Sequence, residues 1–136
     1  MHLLKIVGLL VGLTLSASGF AAEYSLEAAA EAAGEMIPKD GPTEVGLYNL
    51  PSPGRKGNAR QLLEFLRAGR ASGAYLIITT AKNEYARDQL IEALKRGKKN
   101  EKFTGLKLII AGDRIDAAMF ESVFKDRDVA LLYAAY

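Results

Sequence analysis

The chain has 136 residues, of which 49% are hydrophobic and 25% charged, the balance of a folded globular protein rather than a disordered or fibrous one. It has no cysteine, no tryptophan and one histidine, His2. Disulfide staples, thioredoxin-type redox chemistry and zinc sites built on Cys or His are thereby excluded. The formal net charge of +2 argues against general nucleic-acid binding.

Residues 1–21 read as a secretory signal peptide. Lys5 supplies the positive charge, Ile6–Leu15 the apolar run, and Gly19-Phe20-Ala21 a small-residue cleavage site. The run is short for a bilayer span, which needs about 20 residues. An uncleaved anchor is therefore the weaker reading. Cleavage after Ala21 leaves Ala22–Tyr136 without any His, so no Ser-His-Asp or Cys-His device can be built. The expected destination is export, to the periplasm in a double-membrane bacterium and otherwise to the exterior.

Residues 22–43 are expected to form a helix over Leu26–Ile37, capped by Ser25, and a linker opened by Pro38. Residues 44–136 then alternate. Apolar runs at Glu44–Leu50, Ala74–Thr80, Leu106–Gly112 and Val129–Tyr136 read as strands. The two central runs are continuous and β-branched, the mark of strands covered on both faces. Between them lie three helical patterns. Ala59–Gly69 presents Leu62, Leu63, Phe65 and Leu66, with Asn58 as N-cap and Gly69 as stop. Glu84–Arg96 presents Ala86, Leu90, Ala93 and Leu94, with Asn83 as cap and Gly97 after its end. Ala117–Lys125 presents Met119, Phe120, Val123 and Phe124, capped by Asp116. The alternation predicts a three-layer α/β/α domain with a four-stranded, mainly parallel sheet, in a flavodoxin-like or Rossmann-like layout. The expected lateral order is 2-1-3-4, numbering the runs from Glu44–Leu50. It divides the helices two to each face. A layout of this kind transfers no function.

No G-x-S-x-G, G-x-x-x-x-G-K-[ST] or G-x-G-x-x-G signature occurs. The order 2-1-3-4 places a crevice beyond the strand ends, between the first and third runs. Its lining would include Arg55, Lys56, Gly57 and Asn58 from the Pro51–Asn58 loop. Thr79 and Thr80, followed by Lys82 and Asn83, flank it, and Asp113 and Arg114 close it. Two glycines and two cations before a helix start suit a phosphate or carboxylate. A plain solvated turn accounts for the same residues. Asp113 and Asp116 suit a general base or a divalent cation with Thr79 or Thr80, and equally suit helix capping.

Lys95, Arg96, Lys98, Lys99 and Lys102 form a basic cluster interrupted only by Glu101. Contact with anionic lipid headgroups is one reading of it, and a solvated loop complementing a helix end is the simpler one. It lacks the interleaved aromatics that stack on nucleic acid. The run Val129–Tyr136 has no charge and no Pro. As an edge strand it would be unprotected and would invite a protein partner or a second copy, with Val129, Leu131, Tyr133 and Tyr136 as contacts. The sequence therefore points first to a non-catalytic interaction or accessory module with no cofactor and no metal. The alternative is a small anionic-ligand binder or simple hydrolase using the Pro51–Asn58 loop and Asp113.

Overall fold

The computed structural model describes residues 5–6, 26–40, 44–50, 58–112 and 114–135. Four helices and four main parallel strands alternate along them. They are α1 (Leu26–Gly34), β2 (Glu44–Leu50), α2 (Asn58–Ser72), β3 (Tyr75–Thr80), α3 (Asn83–Arg96), β4 (Lys107–Gly112), α4 (Ala117–Val123) and β5 (Ala130–Ala135). A two-residue strand, β1 (Lys5–Ile6), pairs in parallel with Glu44 and Val45 outside β2. The signal-peptide reading otherwise falls outside the described residues. No helix among them is long and apolar enough to cross a membrane. The fold is the expected three-layer α/β arrangement.

The strand order is β1-β2-β3-β4-β5, so the four main strands lie side by side in chain order. This corrects the expected 2-1-3-4. The 75–80 strand, expected at an edge, is central and pairs with β2 on one side and β4 on the other. The distribution of helices changes with it. Each right-handed crossover now steps the same way across the sheet, so α2, α3 and α4 all fall on one face. Their buried side chains join Tyr48, Leu50, Leu76, Ile78, Leu108 and Ile110 in one core. On the other face α1 sets Ala29 and Ala33, both fully buried, against Val45, Leu47, Ile77, Ile109, Ala111 and Ala134. The expected two-and-two division is a three-and-one division.

The helical faces are those the spacing predicts. Leu62, Leu63, Phe65 and Leu66 of α2 are buried, as are Ala86, Leu90, Ala93 and Leu94 of α3. The ends differ. Helix α2 runs through Gly69 and stops before Gly73, whose φ of 77° suits glycine. Gly69 serves close packing instead, because a Cβ there would meet the branched end of Leu76. Lys82, not Asn83, is the N-cap residue of α3, and Gly97 ends that helix in an extended conformation. Asp116 caps α4 as expected, its carboxylate accepting from the Met119 N–H at 3.2 Å.

Gly69→Ala tests the packing. Alanine is worth about 1 kcal/mol more than glycine inside a helix. Overpacking a filled core costs about 1–3 kcal/mol, and Leu76, buried in β3, has little room to move. The expected result is a net loss of about 1 kcal/mol, read from the urea midpoint. A stabilised variant would show that α2 and β3 can separate freely here.

Candidate functional site

Sequential order removes the strand-order reversal that the crevice required. β2 and β4 are separated by β3, so they leave no gap between them at a reversal of strand order. Arg55, Lys56, Gly57 and Asp113 lie outside the described residues, and Asn58 opens α2. Thr79 and Thr80 are buried at the end of the central strand, and the fold uses both hydroxyls. Thr79 Oγ1 donates to Asn49 Oδ1 at 2.8 Å, tying β3 to β2. Thr80 Oγ1 donates to the Lys82 carbonyl at 3.0 Å and accepts from the Lys82 N–H at 3.1 Å, shaping the entry to α3. Gly112 lies so close to the Thr80 carbonyl that a side chain there would strike backbone. Arg114, at φ 72°, accepts at its carbonyl from Asn83 Nδ2 at 2.7 Å.

What remains at this end is an open ledge of about 280 Å³, lined by Thr80, Ala81, Lys82, Asn83, Glu84 and Arg114. Its lining carries two cations, Lys82 and Arg114, and one acid, Glu84, beside a helix start. Among the described residues no group of three His, Cys, Asp or Glu side chains is placed to hold a metal ion.

The basic cluster lies at the opposite end of the sheet. Lys95, Arg96, Lys98, Lys99 and Lys102 are exposed. Glu101, the acid that interrupts them, turns inward. Its carboxylate accepts from Arg67 Nε at 3.0 Å, Arg67 Nη2 at 2.9 Å, Arg70 Nη1 at 3.1 Å and the Lys98 N–H at 3.0 Å. These contacts, the Arg67 hydrogen bonds above all, hold the carboxyl at about 2, well below its ordinary value. Arg70 also lies over the Phe103 ring at 4.9 Å and donates to the Lys102 carbonyl at 2.7 Å. Lys102 Nζ donates to the Asp126 carbonyl at 2.7 Å. The cluster thus has an ordered underside that joins α2 to the loops before β4 and β5.

The terminal strand is where sequence and structure meet most closely. β5 pairs with β4 alone and forms the far edge of the described sheet. The Ala130 N–H donates to the Leu106 carbonyl at 3.0 Å. Successive amides along a strand point to opposite sides. The main-chain groups of Ala130, Leu132 and Ala134 therefore face β4, and those of Leu131, Tyr133 and Ala135 face outward. Val129, Leu131 and Tyr133 are half-buried against the three-helix core. Tyr136 lies outside the described residues. The Tyr133 hydroxyl donates to Glu121 Oε2 at 3.1 Å and lies 3.4 Å from the Ala117 carbonyl. Burial first, and then the Glu121 carboxylate, push its pKa up. This side chain is held back over its own α4, so what Tyr133 offers outward is its backbone. Sequence reasoning missed Glu121, whose role depends on α4 crossing beside β5. It also missed Ala135, whose signal is alternation within an uncharged terminal run.

Comparison with protein-family models, with curated proteins and with solved structures finds no match to this chain.

Proposed function

We propose that this is an exported small α/β protein acting as a non-catalytic interaction module, which binds another polypeptide along the outer edge of β5. The observation that supports this most is the edge itself. Three outward N–H and three outward C=O groups stand on a strand with no charge, no proline and no bulge, the devices that ordinarily blunt an edge. An added strand would satisfy these groups by main-chain hydrogen bonds, and neighbouring side chains would select it. The leader-like residues 1–21 support export.

The alternative, an anionic-ligand binder or simple hydrolase, draws support from the cations of the Lys82–Arg114 ledge. It has less behind it, because the hydroxyls of Thr79 and Thr80 are engaged within the fold. Headgroup contact through Lys95–Lys102 rests on charge and exposure alone.

Ala135→Pro tests the reading. The outward Ala135 N–H forms no bond to β4, so proline should change stability by less than about 1 kcal/mol. It deletes one donor and crowds an incoming strand. Native mass spectrometry should show the wild-type protein in an assembly with a polypeptide and the variant as a bare chain. An assembly that survives the substitution, or a monomer carrying only small-molecule mass, would count against an edge interaction.

A further inference from the structure

Resting on that reading, we infer that the strand added to β5 is β5 of a second copy, antiparallel, about a two-fold axis through Tyr133. The main-chain groups fix the register. With Leu131, Tyr133 and Ala135 facing outward, an axis at Tyr133 sets Tyr133 opposite itself and Leu131 opposite Ala135 of the partner subunit. All three outward donors and all three outward acceptors of each copy are then used, because directly opposed residues of one class exchange both bonds. No residue of Ala130–Ala135 is charged, so no like charges oppose one another within the paired strands.

The side chains leave the edge clear. Tyr133 would be the bulkiest group at the axis, but its hydroxyl is drawn back to Glu121 and Ala117 on its own α4. On the α1 face the neighbours across the axis are Leu132 and Ala134 of the partner subunit, and both positions already belong to the apolar layer beneath α1. The pairing therefore continues one apolar layer from copy to copy. An isologous contact of this kind closes at two subunits and leaves no growing end.

The absence of cysteine makes the register directly testable. Full-length protein carrying Leu131→Cys and full-length protein carrying Ala135→Cys are mixed and oxidised. Opposed residues in such a pair lie about 5.5 Å apart at Cα, inside the disulfide range of about 4.4–6.8 Å. The mixture should cross-link as a heterodimer, while each variant alone, its cysteines about four residues out of register, should not. Sedimentation equilibrium of the wild type should give a dimer, and Ala135→Pro should raise its dissociation constant at least about tenfold. A dimer insensitive to Ala135→Pro, or equal cross-linking in all three samples, would overturn the register and the surface together. A wild type that stays monomeric to about 100 μM would overturn self-pairing. In that case, a foreign polypeptide bound in an Ala135-dependent way would leave the edge-binding reading standing, and its absence would remove both.

Discussion

Phe120→Ala is expected to destabilise the protein by about 3–5 kcal/mol. Helix α4 has seven residues, too few to persist without tertiary contacts, and Phe120 is its one fully buried side chain. Met119 and Val123 pack against the core only in part. Truncation leaves a cavity and a loosened helix together. The consequence reaches β5, because Glu121 sits next in the chain and holds the Tyr133 hydroxyl. With α4 loosened, Tyr133 should ionise nearer the ordinary tyrosine value. Urea unfolding gives the first effect, and an ultraviolet titration of tyrosine absorbance gives the second. A loss under about 1 kcal/mol would mean that α4 is seated by something other than Phe120.

Glu101→Ala should cost about 2–3 kcal/mol. The carboxylate is 8% exposed and bridges two arginines that are about one-third exposed. Hydrogen bonds to charged groups contribute about 1.5–3 kcal/mol each, and breaking a fully buried pair costs about 3–5 kcal/mol. The smaller figure applies because Arg67 and Arg70 can recover water. The acid limb follows from the sign of the pKa change. Folding lowers the Glu101 carboxyl to about 2 from 4.5. Its stabilisation is therefore fully present above pH 4.5 and is lost as the pH falls from there through 2. Urea midpoints measured from pH 6 to pH 2 should fall less steeply for Glu101→Gln than for the wild type. Parallel curves would show that other carboxyls dominate acid unfolding.

The four main strands and the inward faces of α2 and α3 were legible because burial leaves a periodic trace. Leu76–Ile78 and Leu108–Ile110 read as strands covered on both sides, and they are. Lateral order leaves no such trace. Nothing in Glu44–Leu50 or Ala74–Thr80 says which is the more central, and an assumed balance of helices between the faces led to the wrong order. The crevice expected between the first and third runs inherited that error, since it depended on a reversal that the sheet does not have. Glu101 shows a second blind spot. In sequence it merely interrupts a basic run, and only the meeting of α2 with the loop before β4 brings Arg67 and Arg70 to it across more than thirty residues. The terminal strand was easier to place, because an uncharged run after the last helix can pair with β4 and still leave one side open.

The side-by-side order of the strands also bears on how the chain can fold. Val45 pairs with Tyr75, Tyr75 with Lys107, and Lys107 with Ala130. Every pairing therefore joins segments one helix apart, and no strand has to enter between two already joined. Loop-closure entropy stays small at each step, which favours rapid folding. The sheet can grow in the direction of synthesis, each βα unit docking on the one before it. In such a sequence β5 is the last of the described strands to join, and its outer side faces no other strand among the described residues. An edge with no neighbouring strand among the described residues is the geometric remainder of this folding order.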